Sequence, residues 1–294
     1  MHVAEWCIVG ADGQLGLCLR DALASHDLSF VALNRGALDI TDAVAVNKVI
    51  QELHPRTIVN AAAYTNVDGA EDNLETAHAV NCAGARNVAI AAQQVGATLF
   101  HISTDYIFNG IATSPYTEET SGDPRSVYGQ TKLDGELAVL DAHPLGGVIV
   151  RTAWLYSAYG NNFAKTMIRL SREDRNVSVV TDQLGQPTSA HDLAEQLIKM
   201  ATAGIRSGIF HGTNGGTATW FDFTQEIFEL IGADVARVEP TTADKFPRRA
   251  VRPNYSVLGH QQWASTTVEP MRHWREALGA IIDDVRLAAI GAQQ

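Results

Sequence analysis

The chain has 294 residues, 46% of them hydrophobic and 19% charged, which suits a globular protein with a sizeable core. Its formal net charge of -11, with no run of basic residues interleaved with aromatics, excludes nucleic acid as an expected partner. No apolar stretch approaches membrane-spanning length, so no membrane partner is expected either.

The first predicted element is Trp6-Cys7-Ile8-Val9, a short apolar run that ends in Gly10-Ala11-Asp12-Gly13-Gln14-Leu15-Gly16. Leu17, Leu19 and Leu23 follow at helical spacing, so the segment reads as strand, tight turn and helix. Glycines at 10, 13 and 16 let backbone approach a diphosphate, and the unpaired N–H groups at the helix start would face it. The spacing is Gly-x-x-Gly-x-x-Gly, and the strand before and helix after give it the context that a bare glycine triplet lacks.

A second strand, Phe30 to Leu33, runs into Asn34-Arg35, where a dinucleotide fold meets the adenosine ribose. Arginine there can pair with a 2'-phosphate, which points to NADPH, with NADH left open and a solvated loop arginine as the alternative. Two more strands end in polar or small residues. Thr57 to Asn60 leads to Ala61-Ala62-Ala63-Tyr64-Thr65, small enough for a cofactor to lie close, and Leu99 to Ile102 leads to Ser103-Thr104-Asp105-Tyr106, whose hydroxyls could orient a carbonyl. His101, inside its apolar strand, reads as a core histidine.

Tyr128 and Lys132 lie four residues apart and share one helix face. An ammonium beside a phenol favours the phenolate and lowers its pKa, so the pair is expected to form a proton donor for a carbonyl undergoing reduction. A helix from Asp192 to Ala203, the strand Ile209-Phe210-His211, and an amphipathic helix from Pro270 to Ile290 complete the pattern. In the last helix Trp274, Leu278, Ile281, Ile282 and Val285 mark an apolar face that its own lobe or a second subunit could cover, leaving a homodimer open. Alternating strands and helices make the fold α/β, a Rossmann-like doubly wound parallel sheet with a smaller C-terminal substrate-binding lobe.

Taken in order, Gly10 to Gly16, Asp39-Ile40-Thr41, Asn60 to Thr65 with Val67-Asp68, Ser103 to Tyr106, Tyr128 to Lys132, Arg151 to Trp154, Gly160 to Phe163, and Arg252-Pro253 with Ser256 resemble the extended short-chain dehydrogenase/reductases over nearly the whole length. The resemblance implies Tyr128 as general acid, Lys132 as its partner and a holder of the nicotinamide ribose, and Thr104 on the ketone oxygen. It implies cofactor contacts at Gly10, Ala11, Asp12, Asp39, Ile40, Ala63, Tyr64 and Thr65, to which the glycine-loop and strand-end readings add Gly13, Gln14, Leu15, Arg35 and Ala61. Sugar contacts are implied for Asp105 and Trp154, the latter by stacking, with Thr104, Tyr106 and Arg252 completing the expected substrate site.

The reaction so implied is reduction of dTDP-4-dehydro-L-rhamnose to dTDP-L-rhamnose. Relatives that dehydrate nucleotide sugars need a carboxylate pair after the threonine, and Tyr106 in the second place argues against that chemistry. An epimerase and a non-catalytic NADP-binding regulatory subunit are the alternatives. The resemblance and the element pattern divide the chain into a dinucleotide-binding part, 1–153 plus 189–213, and a substrate-binding part, 154–188 plus 214–294. Lys165, Arg169, Arg248, Arg249 and Arg252 are the candidate cations for the substrate's diphosphate.

Cys7, Cys18 and Cys82 imply no disulfide framework, and residues 1–5 show no basic region leading into an apolar core. A cytoplasmic location is therefore expected. Ten histidines include no His-Glu-x-x-His pair, and no resident metal is expected.

Overall fold

Six short runs rich in Val, Ile, Leu and Phe pair into one parallel sheet in the computed structural model, which describes residues 5–291. The strands are β1 (Trp6–Val9), β2 (Phe30–Leu33), β3 (Thr57–Asn60), β4 (Thr98–Thr104), β5 (Gly147–Thr152) and β6 (Gly208–His211). Their spatial order is β2-β1-β3-β4-β5-β6, with every ladder parallel. A parallel sheet is covered on both faces, which is why β1 and β2 read as continuous apolar runs rather than alternating ones.

One face is covered by α1 (Gln14–Ser25), with Leu15, Leu19 and Leu23 turned inward beside a later helix. The other is covered by α2 (Ala43–Leu53), α3 (Ala85–Val95) and α4 (Val127–Ala142), through Val46, Ile50, Val88 and Val139. Each fully buried Leu, Ile or Val contributes about 1.5–3 kcal/mol.

Farther along lie α5 (Phe163–Ser171), α6 (Ala190–Thr202), α7 (Trp220–Leu230) and α8 (Trp274–Gly291). Helix α6 is the partner of α1, and it feeds β6 into the sheet beside β5. A separate core forms from Tyr156, Met167, Phe223, Phe228, Trp274 and Leu278, under a two-stranded parallel ladder of Val177–Val180 and Val238–Thr241.

The apolar face expected on the last helix packs into this core through Trp274, Leu278, Ile282 and Val285. Of the two coverings open to that face, its own lobe is the one observed. The helix begins at Trp274 rather than Pro270, because Gly215 N–H donates to Arg272 O at 2.9 Å and Trp274 N–H donates to Gly215 O at 2.9 Å. Those contacts tie the preceding segment to a loop in place of a helical turn.

Between β1 and β3 the chain order reverses, and a crevice opens outside the carboxyl ends of those strands. Open α/β sheets bind ligands at this point.

Candidate active site

The crevice is built from backbone. Val9 and Asn60 are paired across β1 and β3, so Gly10 and Ala61 leave the sheet side by side. Gly10 has φ +82°, and a Cβ there would stand 2.5 Å from Ala62 N. A Cβ on Gly16 would stand 2.5 Å from Gly10 O, whereas one on Gly13 would make ordinary contact at 3.4 Å. Gly10 and Gly16 therefore close the turn. Gly13 precedes α1 without a side-chain cap, while Asp42, Ser126, Asn162, Ser189 and Thr219 cap their helices with side-chain oxygens. The start of α1 keeps its N–H groups free of side chains, as a diphosphate requires.

On the β2 side a cavity of about 330 Å³ is lined by Asn34, Arg35, Asp39, Ile40, Ala63 and Tyr64, among others. Asn34 Nδ2 donates to Asp12 Oδ2 at 2.8 Å, and Arg35 stands exposed at the rim. Asp39 accepts from Thr41 N–H at 3.0 Å and Thr41 Oγ1 at 2.7 Å. These bonds hold its carboxyl below the ordinary range, with Arg35 acting in the same direction. Ala11 is buried under the loop and lines neither this cavity nor the next. Arg35→Ala is expected to lower the preference for NADPH over NADH by about tenfold, the loss of one charge-assisted contact. Unchanged kcat/KM ratios for the two cofactors would remove Arg35 from the site.

A second cavity, about 710 Å³, brings together Gln14, Leu15, Thr65, Thr104, Asp105, Tyr106, Tyr128, Lys132 and Trp154. It shares Asp12, Gly13, Ala61 and Ala63 with the first. Helix α4 is set against it by close backbone approach. A Cβ on Gly129 would stand 2.1 Å from Tyr106 O, and one on Gly135 2.1 Å from Asn81 O. Ser126 Oγ caps the helix by accepting from Gly129 N–H at 3.1 Å, and Glu71 accepts from Val127 N–H at 2.9 Å.

Asn81 lies in a π-helical turn, Ala79–Gly84. Its side chain accepts from Tyr64 N–H at 2.8 Å and donates to Thr131 Oγ1 at 3.1 Å, joining the β3 loop to α4. No local pattern in the sequence marks this role.

Burial pushes the Tyr128 phenol up to about 12; a bond to Thr104 acts downward and the charge of Asp105 upward. Lys132 does not produce the expected lowering. Its Nζ is turned to Ile102 O at 2.6 Å, and burial brings Lys132 itself down to about 8. Tyr128 is thus protonated throughout the neutral range, the form a proton donor needs.

Thr104 Oγ1 accepts from Tyr106 N–H at 3.2 Å and donates to Asp105 Oδ1 at 3.1 Å. Asp105 is 2% exposed and its Oδ2 has no partner. Burial raises this carboxyl from 3.8 to about 6. A carboxyl whose pKa is higher folded than unfolded contributes stability below about pH 4, and that contribution falls as pH climbs through about 6. Asp105→Asn is expected to gain about 2–3 kcal/mol at pH 8 and nothing at pH 4 in urea unfolding.

Trp154 has φ +47° and stacks on Trp220 with ring centroids 3.5 Å apart and planes 7° apart. Gly185 also lies against its indole, where a Cβ would stand 2.6 Å from the ring. Trp154 thus stacks within the protein while its side chain still lines the second cavity. Trp220 joins the second cavity to a third of about 520 Å³ that reaches Arg248 and Arg252.

The five candidate cations separate here. Lys165 donates to Ala158 O at 3.0 Å, Arg169 bonds Lys165 O and Thr166, and Arg249 pairs with Asp72. Arg252 donates to Asp68 at 2.7 Å, lies over the Tyr106 ring, and keeps a buried Nη1 without a partner. Gln14, expected at the cofactor, accepts from Ser157 Oγ at 3.1 Å and Asn162 Nδ2 at 2.9 Å. It thereby joins the start of α1 to the segment leading into α5. Among the described residues no group of three or more His, Cys, Asp or Glu could hold a metal ion.

The family model described as "RmlD substrate binding domain" matches residues 5–287. A dTDP-4-dehydrorhamnose reductase of Streptomyces griseus is 48% identical over 278 residues, covering 93% of this chain and 91% of that protein. A dTDP-4-keto-6-deoxy-D-glucose reductase of Streptomyces niveus is 44% identical, covering 93% and 95%. The crystal structure of dTDP-4-dehydrorhamnose reductase from Bacillus anthracis in complex with NADP superposes with a TM-score of 0.91 at 40% identity, covering 95% of this chain and 98% of that one.

Proposed function

Since the chain belongs to the RmlD substrate binding domain family, we propose that it reduces dTDP-4-dehydro-L-rhamnose to dTDP-L-rhamnose with NADPH. The observation that carries this reading is the single cleft in which Thr104, Tyr128 and Lys132 meet the uncapped start of α1. The relatives named for this reaction, and the one bound to NADP, support it.

Bound NADPH supplies the hydride, which the protein cannot. The carbonyl carbon gains that hydride while its oxygen gains the phenolic proton of Tyr128, so C=O becomes CH–OH. Thr104 holds the oxygen in place, releasing its hydroxyl from Asp105 to do so. Lys132 holds the nicotinamide ribose and restores the proton that Tyr128 gives up. Gly10 to Leu15, with Ala11 acting from beneath the loop, hold the diphosphate. Arg35, Asp39 and Ile40 take the adenosine end, and Ala61, Ala63, Tyr64 and Thr65 flank the nicotinamide half. Asp105, Tyr106, Trp154 and Arg252 take the sugar nucleotide, with the unpartnered Asp105 Oδ2 and Arg252 Nη1 as its first polar contacts.

We place the dinucleotide-binding part at 1–153 plus 189–213 and the substrate part at 154–188 plus 214–294; the separate core of Tyr156, Phe223 and Trp274 supports this, while Trp263, Val268 and Met271 pack with the sheet's core. Cys7, Cys18 and Cys82 are free thiols, which supports a cytoplasmic location, and no helix among the described residues is long and apolar enough to cross a membrane. A homodimer would use a surface other than the covered face of α8.

The test follows NADPH absorbance with dTDP-4-dehydro-L-rhamnose made in situ, and separately with its precursor dTDP-4-dehydro-6-deoxy-D-glucose. Oxidation with the first alone is expected. Isomerisation without net NADPH use would indicate an epimerase, and NADPH binding without turnover on either sugar a regulatory protein.

A further inference from the structure

Beneath Lys132 runs a chain of buried polar contacts that the hydride step does not use. Asn60 at the end of β3 is paired in register with His101 of β4, and Lys132 reaches down to them from α4. Asn60 Oδ1 accepts from Ala62 N–H at 3.2 Å, which turns the Nδ2 of the same carboxamide towards His101 Nδ1, 3.2 Å away. An amide nitrogen only donates, so Nδ1 is the accepting, unprotonated nitrogen of the ring. Turning the carboxamide over would set its Nδ2 against the Ala62 N–H, so the backbone decides the tautomer. His101 is 1% exposed, and burial together with the nearby Lys132 keeps it neutral. Its one proton therefore sits on Nε2, which faces Lys132 Nζ at 3.4 Å.

An N–H aimed at an ammonium meets only hydrogens, but aimed at a neutral amine it meets a lone pair. We propose that His101, with its tautomer set by Asn60, is a positioning residue that favours the neutral amine form of Lys132 and so governs when this group releases and regains its proton. The groups around Nζ leave that role to His101. Glu136, one helical turn on, favours the ammonium, but its carboxylate is paired with Arg151 of β5 at 2.8 Å. Tyr128 is neutral, and Asp105 lies at the far end of β4 with its Oδ1 on Thr104. On the reductase reading, on which the functional consequence rests, Tyr128 becomes a phenolate after giving its proton. A water then relays one N–H proton from Lys132 to that oxygen, leaving Lys132 an amine held by His101 Nε2–H, and the amine regains a proton from bulk water.

Nuclear magnetic resonance of the full chain tests this without substrate. In protein labelled with 15N-histidine, His101 is expected to show a protonated Nε2 and a bare Nδ1, and the 13Cε signal of Lys132 should titrate well below an ordinary lysine. Asn60→Asp keeps an acceptor for Ala62 N–H and offers another to the ring, so the proton should move to Nδ1 and the Lys132 midpoint should rise, its ionisation constant falling at least tenfold. His101→Phe removes the N–H without adding charge and should raise the midpoint in the same direction, moving the alkaline limb of the kcat profile with it. A wild-type ring protonated at Nδ1, or a midpoint unmoved by His101→Phe, overturns the proposal. If either variant fails to fold, the wild-type tautomer alone decides. Absence of turnover on the dTDP sugars would defeat the reductase reading while leaving these spectra unchanged.

Discussion

Tyr128→Phe is expected to lower kcat by about 10²- to 10⁴-fold, the contribution of a positioned general acid, with NADPH affinity nearly unchanged. The ring stays where it is, because its packing against Tyr106 is edge to face with centroids 5.5 Å apart and does not use the hydroxyl. Only the proton is lost. Its phenol stands at about 12, so the wild-type donor remains loaded across the neutral range and its own ionisation should not limit activity below pH 10. Stopped-flow NADPH oxidation with wild type and Tyr128→Phe, alongside a fluorescence titration of bound NADPH, checks both halves. Retention of more than a tenth of kcat would require another proton source in the cleft.

The second large effect concerns what holds α4 in place. Arg151 of β5 bonds Glu136 of α4 through Nε at 3.0 Å and Nη2 at 2.8 Å, and the two side chains are 4% and 2% exposed. Arg151 also donates to Glu118 O at 3.3 Å and faces the neutral ring of His211, which burial holds down to about 3. Removing one partner of such a pair strands a charge in the interior, which costs about 3–5 kcal/mol. Arg151→Met should therefore lower Tm by roughly 10 °C, and the double variant Arg151→Met with Glu136→Leu should recover most of that loss. Calorimetry on the three proteins decides it. A single variant as stable as wild type would mean that water or a rearranged side chain compensates Glu136. Because Glu136 sits one turn beyond Lys132, the single variant should also raise the Lys132 midpoint, linking the stability of α4 to the titration of the site.

Several features were legible because they are local. The strand, glycine turn and helix from Trp6 to Ser25 occupy consecutive residues, and their φ and packing requirements fall on the same glycines. Tyr128 and Lys132 share a face because α-helical geometry puts positions four apart together. The helix expected over Asp192 to Ala203 forms at Ala190–Thr202, since Ser189 caps it two residues earlier than the apolar pattern begins. The electrostatics of the pair were not legible. Whether an ammonium acts on a phenol depends on where its Nζ points, and here a carbonyl of β4 takes it.

The amino-acid sequence by itself determined the α/β class, the parallel strands, the order of glycine turn, Thr104, Tyr128 and Lys132 along the chain, and the family to which these belong. All but the last follow from periodicity, turn chemistry and spacing over a few residues; the family follows from the resemblance of the motifs taken together. Only the tertiary structure decided which cations face the third cavity, that Trp154 stacks on Trp220, that Asn81 ties α4 to the β3 loop, and that Asn60 sets the proton of His101. Each of these joins residues between 17 and 66 positions apart or separates chemically equal candidates by burial. Their energies depend on distance and desolvation in space, quantities that arise only when the strands have been laid side by side.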